Sequence, residues 1–226
     1  MEAVKNFFGR LGKGTKQMFQ RMPFFFYILV HPFQGFYDLK VDHRRSNVPG
    51  AVFMFVLLAF SAIFKRQLLG YLYTSRAEQL SLDIVVEVLI AVLPYLMWVI
   101  ANWCFTSLMD GDGKLVDIFC ATAVGVIPLI ICNFIAVPLS NFLSLESAQV
   151  YTAVTAFGYV WAYVTIFLGM VVTHQYSVGK GLVTTILSIV GIMLLAFVIL
   201  LIFYLIQQVT GFVSSLATEI SYRMNE

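Results

Sequence analysis

Residues 182–206 read LVTTILSIVGIMLLAFVILLIFYLI, and this run decides the fold. A helix rises about 1.5 Å per residue, so roughly 20 apolar residues cross about 30 Å of hydrocarbon. Its eighteen Leu, Ile, Val and Phe residues, at roughly −0.4 kcal/mol each, favour insertion by an upper bound of about 7 kcal/mol, with no charge opposing. Working outward, four stretches without a formal charge dominate the chain: 88–109, 118–145, 147–179 and 181–218. A water-soluble domain of this size has no interior large enough to hide them. The expected fold is all-α: a polytopic integral membrane protein built as a five-transmembrane-helix bundle.

Composition agrees. Of 226 residues 60% are hydrophobic and 12% charged, against about 25% charged in ordinary soluble domains. A net charge of +2 is too small to suggest nucleic acid. Cys104, Cys120 and Cys132 sit in or beside apolar runs without metal-ligand spacing, and read as small packing residues.

Three regions follow along the chain: 1–47 as a cytoplasmic basic amphipathic and interfacial segment, 48–206 as the span domain, and 207–226 as an interfacial tail. The spans fall at about 48–64, 84–108, 118–142, 150–172 and 182–206. In the first 22 residues Val4, Phe7, Phe8, Leu11, Met18, Phe19 and Met22 recur at helical spacing. Lys5, Arg10, Lys13, Lys16 and Arg21 supply a basic face, the candidate contacts with an anionic membrane surface. A flexible basic tail is the alternative. Residues 23–39 are aromatic-rich and too short to cross, which suggests a wedge at headgroup level. Beyond residue 206, Phe212, Leu216 and Ile220 at four-residue spacing extend the pattern.

The first span has an apolar core of only about 14 residues before Lys65-Arg66, so it either crosses with those two snorkelling or re-enters. Five crossings place ten Lys and Arg inside and four outside; four crossings place twelve inside and two outside. Both schemes keep the amino end inside. Charge alone leans toward four.

Enzymatic signals are weak, and no catalytic, cofactor-binding or metal-ligating set is expected. Gly9–Lys16 has a phosphate-loop look, but Lys and Thr are transposed and no strand precedes it. Asp110-Gly111-Asp112-Gly113 has the start of a calcium loop, yet Lys114 takes an oxygen position and Ala121 the closing one. It reads as a turn. Glu87 is the single acidic residue within a span: an interfacial cap in the first helical turn, or a functional carboxylate. Pro94, Pro128 and Pro138 could break helices and free backbone groups to face a cavity. Gly158 and Tyr159 mark either a helix crossing or a binding groove. Asn102, Asn133 and Asn141 read as interhelical hydrogen-bond partners. Glu87, Pro94, Pro128, Gly158 and Tyr159 are the candidate functional or interface residues.

Short motifs carry a family likeness. His31-Pro32-Phe33-Gln34-Gly35-Phe36-Tyr37-Asp38-Leu39-Lys40 precedes the first span, and Gly113-Lys114-Leu115-Val116-Asp117-Ile118-Phe119 opens the third. Ala121-Thr122-Ala123 and Ile127-Pro128 follow. In this order they resemble the Yip family (Ypt- or Rab-interacting membrane proteins) in its short bacterial form. The resemblance implies five spans, a cytoplasmic amino end and an outward carboxyl end, and on that ground five crossings are expected over four. Eukaryotic relatives act in traffic with small GTPases, but this chain has Asp38-Leu39-Lys40 where they carry Asp-Leu-Tyr-Gly-Pro, so GTPase binding does not carry over. What the resemblance suggests is a non-enzymatic accessory or scaffold subunit in the cell membrane. Its partners would be the bilayer and other integral membrane proteins, with carbohydrate ABC-importer permeases as one class. The alternative is a transport subunit, permease or channel, lining a substrate or ion pathway.

Overall fold

The computed structural model describes residues 24–41, 48–70, 73, 83–144 and 147–224. The basic segment with Lys5, Arg10, Lys13, Lys16 and Arg21 lies outside the described residues. Residues 24–30 are helical (α1), followed by α2 (Pro32–Val41), α3 (Val48–Leu68) and α4 (Ile84–Leu108). Then come α5 (Leu115–Gly125), α6 (Ile127–Phe142), α7 (Ala148–His174) and α8 (Val178–Met224). Five helical segments are long and apolar enough to cross a membrane: α3, α4, the stacked pair α5–α6, α7, and α8 as far as Ile220.

The first span runs from one end of the bundle to the other. At its start Ala51 and Met54 pack with Leu39 and Cys120. At its far end the Gly70 N–H donates to Ser140 Oγ (2.9 Å) and Asn141 Nδ2 donates to the Leu68 carbonyl (2.9 Å). Lys65 and Arg66 fall in its last turn, so the helix outlasts the 14-residue apolar core by including them. At the same end Tyr73 donates to the Ser144 carbonyl (3.1 Å).

The third span sits in the middle, with 78% of its most apolar stretch buried, against 17% for α4 and 11% for α8. Here the structure departs from the single helix expected over 118–142: the chain leaves helix at Val126 (φ −84°, ψ −7°) and restarts at Ile127. Pro128 suits this break. It has no N–H to offer the carbonyl four residues back, and it is best tolerated in a first helical turn, where it now lies. Pro94 and Pro138, by contrast, remain inside unbroken helices.

The aromatic segment packs one face on the bundle and leaves the other exposed. It folds back on itself, with Gly35 so close to Ile28 that a Cβ would sit 2.7 Å from Ile28 Cγ1. Phe25, Ile28, Phe36 and Leu39 join the central cluster with Leu58, Ile118, Val124 and Ile166, while Phe26, Tyr27, Phe33 and Tyr37 stay exposed. Phe36 lays its ring against Gly169 of α7, where any side chain would be about 3.0 Å from it. Periodicity shows that one face is apolar; it does not show that the bundle leaves a notch for it.

Candidate functional site

The two ends of the bundle are built differently. At the end shared by α2, the α4–α5 turn and the α7–α8 turn, a polar cluster closes the structure. Gln175 caps α7 with φ 54°, and Asp110 turns the chain after α4 with φ 53°. His174, 2% exposed, accepts from the Gly113 N–H at Nδ1 (3.3 Å), so its Nε2–H points at Asn102 Oδ1 (3.2 Å). Asn102 Nδ2 donates to Ser188 Oγ (3.2 Å), whose hydroxyl donates to the Thr184 carbonyl (2.8 Å). Every polar group in this line has a partner, as burial in low dielectric demands.

Tyr176 stacks on His174 (5.3 Å, 22°) and donates to the Met109 carbonyl (3.1 Å). Burial, and secondarily Asp110 and Asp112, push its phenol above the usual tyrosine range. Lys180 places its ammonium 4.4 Å over the same ring. Gly111 and Gly113 are required by close approach: a Cβ at either would sit 2.6 Å from the His174 ring. Lys40 Nζ comes within 3.9 Å of Asp112 Oδ2, too far for a hydrogen bond. Lys114 N–H donates to Asp117 Oδ2 (3.1 Å), starting α5. Asp110–Gly113 is thus a turn folded onto His174, as its sequence suggests.

At the opposite end the helices stand apart around a cavity of about 800 Å³, walled by α3, α4, α6, α7 and α8. Lys65, Arg66 and Glu87 stand at its outer end; Glu87 is in the first turn of α4, behind the Asp83 cap, which accepts from Val85 N (2.9 Å). Pro94, Tyr95 and Trp98 continue down α4, and Tyr159, Tyr163 and Ile166 line α7. Because Pro94 lacks an N–H, the Ile90 carbonyl has no helical donor, and both residues line this space. On the inner wall Asn133 donates to Ser61 Oγ (3.3 Å) while its Oδ1 has no partner; neither does Trp98 Nε1.

Of the five candidate residues, Glu87, Pro94 and Tyr159 share this cavity. Pro128 and Gly158 do not. Pro128 is buried at the helix break, and Gly158 lets α7 touch α6, since a Cβ there would be 2.6 Å from Cys132 Cβ. All three asparagines pair across helices. His174 was readable only as one of three scattered histidines; the available signal was a histidine ending an apolar span, next to a polar turn. Among the described residues no group of three or more His, Cys, Asp or Glu could hold a metal ion.

A bundle of five bilayer-length apolar helices with a polar-capped end defines a multi-pass helical membrane protein. Residues 26–206 match the Yip1 domain. The match covers most of the chain, and the protein belongs to the Yip1 domain family. No curated protein and no solved structure matches it.

Proposed function

We propose that this chain is a non-enzymatic accessory or scaffold subunit of a membrane assembly, seated in the cell membrane with its amino end in the cytoplasm and its carboxyl end outside. One observation carries the reading. From Phe197 to Ile220 every residue of α8 is exposed, a length of about 36 Å on which the rest of the described chain makes no cover. Part of this surface faces lipid in any arrangement. The remainder, apolar without interruption through residue 206 and mixed beyond it, is available to neighbouring integral membrane proteins, for which importer permeases are one class suggested by the family likeness. The test is crosslinking from cysteines placed singly along residues 197–220 in native membranes, followed by identification of the adducts. Reproducible adducts to one integral membrane protein are expected. A solitary monomer at every position and under several mild extractions overturns the reading.

The transport alternative has one observation in its favour, the cavity holding Glu87, Pro94 and Tyr159. Against it, the His174–Asn102–Ser188 line closes the opposite end. Solute flux in proteoliposomes containing this chain alone, abolished by Glu87→Gln, would establish transport; absence of flux leaves the accessory role.

A further inference from the structure

The cavity has the dimensions and polarity of a lipid. From Glu87 to Trp98 the α4 wall descends eleven residues, about 16 Å, which is close to half of the roughly 30 Å hydrocarbon layer, a single leaflet. Its volume of about 800 Å³ lies in the upper part of the range of ligand sites, about 300–1,000 Å³. It opens sideways: Ile90 and Tyr163, both on its wall, are 66% and 60% exposed. Below the outer end the walls are apolar and aromatic.

Charge is confined to the outer end. Lys65 and Arg66 close α3 and Glu87 opens α4, so two cations and one carboxylate share the membrane–water level of the cavity. Among the described residues neither Lys65 nor Glu87 has an ion-pair partner; Lys65 has the Tyr151 ring at 5.9 Å. One helical turn deeper, Ser61 holds Asn133, which is 5% exposed and has an unpartnered Oδ1. Trp98, deeper still, has an unpartnered indole N–H. Both residues line the cavity, with the unpartnered atoms themselves lying beneath its surface.

We propose that this cavity binds one phospholipid of the adjoining leaflet whose headgroup carries both a phosphate and a primary ammonium. The phosphate sits between Lys65 and Arg66, where guanidinium and ammonium donors suit its oxygens. The headgroup ammonium meets Glu87. The glycerol ester level falls at Asn133, and an acyl chain runs down past Pro94, Tyr95 and Trp98. A soluble phosphate compound would satisfy the charges and leave the leaflet-deep apolar trough empty, so the lipid is the occupant. This goes beyond the accessory role and does not depend on it.

The test uses the full-length chain in nanodiscs of equal phosphatidylethanolamine and phosphatidylglycerol, released into mild detergent for native mass spectrometry. One phosphatidylethanolamine per chain is expected, in excess over phosphatidylglycerol. Lys65→Gln with Arg66→Gln should lower retention of both lipids about tenfold or more, the scale of lost charge-assisted hydrogen bonds. Glu87→Gln should keep phosphatidylglycerol and erase the preference. Ala91→Trp, which fills the trough and leaves all three charges, should abolish retention; thermal melting of each variant reports whether it is folded. Glycerophosphoethanolamine, the headgroup without chains, should fail to displace the lipid. Displacement by that compound, no retained lipid in the wild type, or retention unchanged in the charge variants would each overturn the proposal.

Discussion

The two ends of this bundle solve opposite problems with similar residues. Where α2 meets the α4–α5 and α7–α8 turns, a histidine, an asparagine and a serine bond to one another and to the backbone in an unbroken line. At the other end an asparagine and a tryptophan keep unmet polar atoms, and five helices stand around an open volume. A buried polar group without a partner costs about 1–3 kcal/mol. The closed end leaves one such group, the Lys40 ammonium, beside a fully paired line, whereas the open end leaves two beside an open volume.

The largest expected effect is at the closed end. Gly113→Leu drives a side chain into the His174 ring and Thr173, and should cost about 2–3 kcal/mol in detergent unfolding, the scale of overpacking. A stability unchanged within error would mean that the turn does not pack on His174. The asparagines then give a matched pair. Asn102→Leu strands the His174 Nε2–H and should cost about 1–2 kcal/mol, the upper part of what interhelical hydrogen bonds provide in membranes. Asn133→Leu removes an orphaned carbonyl and leaves Ser61 bonded to Leu58, so stability should hold within about 0.5 kcal/mol. Equal losses at both positions would erase the contrast between the two ends.

Tyr176 offers a smaller effect with a defined sign. Its phenol holds its proton more tightly folded than unfolded, so the unfolded chain ionises first as pH rises. The melting temperature should be flat to about pH 9 and fall from about pH 10 upward, less steeply in Tyr176→Phe. The same alkaline slope in both would remove Tyr176 from the account. Smallest is Lys40→Met. The ammonium lacks a hydrogen-bond partner and Asp112 is mostly solvent-exposed, so stability should stay level or rise by less than about 1 kcal/mol. A clear loss in the same unfolding measurement would show a stronger tie between α2 and the turn.

The spans were legible because the bilayer imposes a length and a polarity that composition alone reveals, and α8 with its uncharged run is the clearest case. Charge does not decide how far α3 extends, and the pairing of Gly70 with Ser140 and of Asn141 with Leu68 at its far end joins residues 70 and 73 positions apart. Pro128 and Pro94 look alike as residues, but only Pro128 lies at a break, because neighbouring packing decides whether a helix absorbs a proline. Glu87, Pro94 and Tyr159 were individually visible; that they face one cavity depends on helix rotation, which a uniformly apolar span does not encode. His174 and Asn102 are 72 residues apart, and nothing local announces their meeting.

Finally, α8 runs unbroken for 47 residues, about 70 Å. To fit that length inside some 30 Å of hydrocarbon it would have to lean more than about 60° from the membrane normal, while membrane helices lean 0–40°. Tilt cannot absorb the excess. One end of this mast must therefore rise clear of the oil into the headgroups and water, bringing Phe212, Leu216 and Ile220 with it if the overhang is at the carboxyl end.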